Sequence, residues 1–162
     1  MNVRGRFGLI VSLISALGCN SSTEPLSSID VEGTRISLVA TASGSEIVGT
    51  SPVTFTVRLV NEGAKPATLH FNSGCQILPY IRSSIGRVVL PGEGGWGCTG
   101  ALTQLTLAAG ESVVREYVWT GSTDFRSEMP LRPLPPGRYL FSAEVPAQEA
   151  MLRSRAVEVV VR

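Results

Sequence analysis

Side chains able to do covalent or acid–base chemistry are sparse in this chain of 162 residues: one histidine, His70, and three cysteines, Cys19, Cys75 and Cys98. A Ser-His-Asp hydrolase sets its base beside a nucleophile, and no G-x-S-x-G elbow offers one. His70 alternates with Leu69 and Phe71, so it reads as a solvent-facing or pair-forming strand residue and not as a base. The 13 Asp and Glu are scattered almost singly, and no spacing selects a pair for acid–base hydrolysis. No H-E-x-x-H, EF-hand loop or Cys/His cluster occurs, so no metal, no cofactor and no catalytic activity are expected.

The densest glycine stretch, GEGGWGCTG (residues 92–100), invites comparison with a phosphate loop. Such loops aim backbone N–H groups and a helix N-terminus at the anion, and the ATP-type version adds a lysine. Here β-patterned residues follow, Glu93 is an acid, and no lysine is near. The glycines suit a tight or irregular turn that brings Cys98 beside Cys75. Trp96 then stands at a loop tip, either as an aromatic anchor for protein recognition or folded back as a lid over the end of the fold. Trp96, Glu93 and Tyr80 form the candidate binding surface.

What the thiols do depends on where the chain resides. MNVRGRFGLIVSLISALGC opens with Arg4 and Arg6, continues with an apolar run from Phe7 to Leu17, and ends on small residues. That is a secretory signal layout, too short to span a membrane. Gly18 before Cys19 resembles the lipobox of bacterial lipoproteins, although Ala16 stands where that pattern prefers Leu. The resemblance implies cleavage, lipidation of Cys19 and a mature chain beginning there. Asn20, not Asp, follows the cysteine, which favours the outer membrane or cell surface over inner-membrane retention. Residues 20–33 begin polar and aperiodic and read as a tether. Export puts Cys75 and Cys98 in an oxidising compartment, where a disulfide is expected. The chain-entropy model values closure of a loop of this length at about 3.5 kcal/mol. A metal or redox pair is the alternative, but no CxxC or carboxylate cluster completes a zinc shell.

The expected signal contains two of the 14 Lys and Arg and none of the 13 acids, which leaves a formal charge of −1. No basic patch or basic–aromatic stripe is visible, so nucleic acid is not an expected partner. Residues 34–162 are enough for one domain with its own core.

Period-two alternation dominates that domain. In VTFTVRLVN (residues 53–61), Val53, Phe55, Val57 and Leu59 share one face, and Thr54, Thr56 and Arg58 the other. TRISLVATA, ATLHFNS, QILPYIR, RVVLP, LTQLTLA, ESVVREYVW, RYLFSAEV and RAVEVVVR read as further strands, separated by turn signals such as EGAKP, SSIG and AAGE. PAQEAMLRS is the best helical candidate but reads as a loop. RPLPPG reads as a stiff connection into a strand, with a polyproline ligand as the alternative. Trp119 closes an apolar strand and reads as a core-edge aromatic, with ligand contact as its alternative. The fold class expected is all-β, an antiparallel immunoglobulin-like β-sandwich.

Three separated segments, NEGAKPATLHFNSGCQ, LTQLTLAAGESVVREYVW and PLPPGRYLFSAEV, are similar in order and spacing to successive blocks of the BsuPI-type intracellular proteinase inhibitor domain. The family features fall on Asn61, Phe71, Ser73, Gly74, Gln76, Leu105, Leu107, Gly110, Glu111, Trp119, Pro136, Gly137 and Tyr139, and the resemblance covers residues 50–146. Cys75 is inserted between Gly74 and Gln76, and ILPYI follows where the family usually carries a Tyr-Asp or similar pair. The resemblance implies a serine proteinase inhibitor-like module. Its partner would be a subtilisin-like serine protease in the cell envelope. A structural or adhesive envelope module that binds another protein or a glycan is the alternative.

Overall fold

The clearest alternation in the chain sets the first sheet. Val53, Phe55, Val57 and Leu59 are buried, while Arg58 is exposed and Thr54 and Thr56 are half-buried, so one face of this strand makes core. The computed structural model describes residues 27–49, 51–92, 95–125 and 132–162. Among the described residues there are twelve strands. They are β1 (Ser28–Val31), β2 (Thr34–Ala42), β3 (Glu46–Ile47), β4 (Val53–Asn61), β5 (Ala67–Phe71) and β6 (Leu78–Ser83), followed by β7 (Val88–Leu90), β8 (Thr103–Leu107), β9 (Ser112–Trp119), β10 (Gly137–Pro146), β11 (Met151–Arg153) and β12 (Val157–Val161). The expected signal peptide, Cys19, residues 20–26 of the expected tether, and Glu93 lie outside the described residues.

One sheet runs β1-β2-β4-β9, and the other β3-β12-β10-β6-β7 with β11 also on β10. β5 and β8 pair as a separate two-stranded ribbon. The architecture is the expected all-β, immunoglobulin-like sandwich, antiparallel except at one edge, where β3 lies parallel to β12.

Three short strands differ from the sequence expectation. β1 falls inside the segment expected as tether and pairs with β2 from Ser28↔Ser37 to Val31↔Thr34. Its hairpin turns on Glu32 and Gly33, at φ 52° and 77°, the left-handed pair that a tight two-residue hairpin requires. Asp30 Oδ1 accepts the Gly33 N–H at 2.7 Å. β3 is only two residues long, below what an alternation pattern can reveal. β11 forms within PAQEAMLRS because the 147–150 loop turns the chain back along β10. Ser154 then interrupts this edge before β12, with its Oγ accepting the Ala143 N–H at 2.9 Å.

Between the sheets, the Phe55 and Phe141 rings stack with centroids 4.0 Å apart. Trp119 is fully buried, meets Tyr139 edge-on at 5.7 Å, and donates its indole N–H to the Ser122 carbonyl at 2.8 Å. It is therefore a core residue. The Tyr139 hydroxyl donates to the Pro135 carbonyl at 2.8 Å, the backward tie of a tyrosine corner. That tie makes RPLPPG a structural connection into β10.

Candidate functional site

The β5–β8 ribbon places the residues of interest, because it is fastened at both ends. At one end stands Asn61, the last residue of β4, fully buried. Its Nδ2 donates to the Lys65 and Leu107 carbonyls at 2.7 and 3.0 Å, and its Oδ1 accepts the Gly63 N–H at 2.9 Å. Its backbone exchanges further bonds with the β8–β9 turn, donating to the Glu111 carbonyl and accepting from the Gly110 N–H. Every hydrogen-bonding group of this buried amide that lies near protein backbone is used, as a dry site requires.

At the other end, the turn over residues 73–76 meets residues 98–104. Cys75 and Cys98 form a disulfide with Cα atoms 5.4 Å apart, 23 residues apart in sequence. The Gly74 N–H donates to the Thr99 carbonyl at 3.0 Å. A Cβ at position 74 would collide with the Thr99 hydroxyl, so a larger residue there requires the Thr99 side chain to turn away. Thr103 Oγ1 donates to the Ser73 carbonyl at 2.7 Å, and Gln76 Nε2 donates to the Gln104 carbonyl at 3.3 Å. The single turn 73–76 thus holds the incoming chain at Cys98 and Thr99 and again at Thr103 and Gln104.

Residues 97–102, held between those points, are exposed throughout. Neither residues 73–79 nor residues 95–107 contain an Asp, Glu, Lys, Arg or His, so these two segments are neutral, and Asp124 brings a carboxyl group to the groove beside them. Trp96 is half-buried beneath the loop, with its indole N–H on the Pro79 carbonyl at 3.1 Å and its ring stacked on Phe125 at 6.4 Å. Phe125 in turn meets Tyr117 at 5.4 Å. Burial pushes the Tyr117 phenol above its ordinary pKa, so it stays protonated at physiological pH. A groove of about 360 Å³ runs between these rings and the disulfide.

The candidate residues lie apart. Tyr80 neighbours Pro79 but turns to the outer face of its sheet, with the Arg82 guanidinium 4.9 Å above its ring, and lines a different groove with Val88, Pro91 and Leu134. On that outer face Glu144 takes Arg82 at 3.1 Å and Arg153 at 2.6 Å, a structural pairing of one nearly buried carboxylate with two guanidinium groups. His70 pairs with Glu149, Nδ1 to Oε1 at 2.7 Å. Burial raises the Glu149 carboxyl, but bonds from the His70 ring and from the Glu149 and His70 backbone outweigh it and hold the group below the ordinary carboxylate range. Among the described residues, no three His, Cys, Asp or Glu side chains converge as a metal would need.

Sequence reasoning missed the second fastening, Thr103 on Ser73, and the aromatic floor of Tyr117 and Phe125. Ser73 and Gln76 were already marked by the family resemblance; Thr103, Tyr117 and Phe125 carry no comparable local signal.

The family model BsuPI, described as intracellular proteinase inhibitor, matches residues 40–150, a span that includes both fastened ends of the ribbon. No curated protein matches the chain. Among solved structures, the CARDB domain of a Pyrococcus furiosus protein in complex with di-metal ions is similar with a TM-score of 0.48 at 14% identity, over 83% of this chain and 93% of that one. A β-glucosidase from Erythrobacter marinus gives 0.44 at 15% identity, and one from Listeria innocua 0.43 at 17%. The chain spans 16% of the length of each glucosidase and is itself covered over 80% and 79%. The family match extends over well over half of the sequence and includes every block that carried the resemblance, and on that ground this chain belongs to the BsuPI family of intracellular proteinase inhibitors.

Proposed function

We propose that this protein inhibits a serine protease of the subtilisin type with the disulfide-held end of its sandwich and has no catalytic activity of its own. The observation that carries the reading is the state of residues 97–102, exposed along their length yet held on both sides by the turn 73–76. A loop ordered before it meets its partner forgoes most of the ordering cost of binding. Its neutral, glycine-rich surface suits a protease cleft, which binds substrate chiefly through backbone pairing and one or two side-chain pockets. Residual subtilisin activity against the purified chain lacking residues 1–19 tests the reading. Absence of inhibition at high micromolar concentration, with far-UV dichroism showing a folded domain, overturns it.

The same proposal places the protein outside the cytoplasm, lipidated on Cys19 and held at the outer membrane or cell surface by the polar residues that follow. The Cys75–Cys98 disulfide supports that reading, because such bonds persist in oxidising compartments. Cys19→Ala is expected to release the protein from membranes, and unchanged membrane partition counts against anchoring.

A further inference from the structure

We infer that residues 100–103 are the segment that enters the protease cleft and that Leu102 is the side chain received by its primary specificity pocket; this rests on the inhibitor reading above. Three observations single the segment out. It is an arch with both feet on one turn: Thr99 accepts the Gly74 N–H at 3.0 Å, and Thr103 Oγ1 bonds the Ser73 carbonyl at 2.7 Å. Among the described residues, Gly100, Ala101 and Leu102 give neither N–H nor carbonyl to another backbone group, so their backbone is free to pair with an extended partner strand. Leu102 is 77% exposed at the foot of the arch, an aliphatic side chain in water, while Gly100 and Ala101 before it are small enough for an enzyme to close on the main chain.

Ile85 is more exposed, at 87%, but the geometry there is wrong for a cleft. It sits in the β6–β7 hairpin tip, where Gly86 donates to the Ser83 carbonyl at 2.8 Å and the backbone is folded back on itself. An extended-binding cleft cannot pair with a closed turn.

The position of Thr103 adds a mechanism. Attack by the protease serine oxygen on the Leu102 carbonyl carbon would break the Leu102–Thr103 C–N bond, form an acyl ester on the serine, and pass the serine proton by way of the enzyme's histidine to the Thr103 nitrogen. The new amine does not diffuse away, because Thr103 remains paired with Phe71 in the ribbon and bonded to Ser73. It stays placed to attack the ester and remake the peptide bond, returning the proton to the serine. Retention of the leaving group in this way makes the complex long-lived and turns a substrate-like segment into an inhibitor.

The test uses the chain lacking residues 1–19 with subtilisin and trypsin as probes. L102D is expected to weaken inhibition of subtilisin by about 100-fold with an unchanged thermal midpoint, since the side chain is exposed, and L102R is expected to move inhibition to trypsin. I85D, the control, leaves inhibition unchanged. Mass spectrometry after prolonged incubation is expected to find the cut at Leu102–Thr103. If the unsubstituted protein inhibits subtilisin and L102D inhibits it equally well, or the cut falls elsewhere, the assignment of the arch is overturned and the inhibitor reading stands. If the unsubstituted protein inhibits neither enzyme, both are overturned together.

Discussion

The two ends of the β5–β8 ribbon are held by opposite chemistry. At the Asn61 end, one buried side-chain amide joins two turns by hydrogen bonds alone. At the other, a disulfide leads, with Cys98 exposed to solvent. Burial explains the difference. A hydrogen bond in a dry site is expensive to break because its partners cannot turn to water, whereas in solvent the same bond competes with water and contributes little. The solvent-exposed end gains less from the first device, and a covalent bond supplements it. The ribbon is therefore held by hydrogen bonds of a buried amide where it is closed, and by sulfur together with more exposed hydrogen bonds where it is open.

The largest expected effect comes at the closed end. Asn61→Ala removes a buried bond to the Leu107 carbonyl and part-buried bonds to the Lys65 carbonyl and the Gly63 N–H, and at about 1–3 kcal/mol for each bond the loss is about 4 kcal/mol in urea unfolding. A loss under about 1 kcal/mol would break the comparison, since it would mean water reaches the site. Next is the open end, where replacing both Cys75 and Cys98 by serine is expected to lower stability by about 3.5 kcal/mol, in line with the loop closed. The same variant should lose inhibition more steeply than stability when measured at a temperature where it remains folded. Equal inhibition there would show that the arch needs no bracing. Thr103→Val removes one foot of the arch and is expected to cost about 1 kcal/mol in the same denaturant titration.

The smallest effect is lateral. His70 and Asn72 tie the edge of the ribbon to the β10–β11 loop through Glu149 and Gln148. The Glu149 carboxyl is lowered below its usual 4.5 in the folded chain, so the unfolded chain binds the proton more readily there. Its contribution is present in full above about pH 4.5 and disappears as pH falls through the lower folded value. Glu149→Gln should therefore flatten part of the stability loss that sets in as pH falls below about 4.5. An unchanged acid limb would show that the pair contributes nothing.

Much of the sandwich was legible before folding. The bounds expected for β2 and β4 coincide with those observed, because a strand with one buried face leaves a period-two record along the chain. β1 escaped notice although Glu32-Gly33 is a hairpin signal, since four residues with a half-buried face carry too little alternation. β11 was hidden because its pairing depends on where β10 ends. At the site, the thiol pair followed from the cysteine count together with the expectation of export, and Trp96 kept two readings on sequence alone, whereas in the fold Pro79 and Phe125 lie against it.

By itself the sequence determined what is local or compositional: the strand alternation, the turns, the neutral character of residues 95–107, and the family pattern. Only the tertiary structure decided that Asn61 joins two turns and that one turn holds both feet of the segment bearing Leu102. Ser73 and Thr103 are 30 residues apart. Contacts over that distance form only when the core closes the intervening chain, and a loop-closure cost shared among many strands leaves no mark on either residue alone.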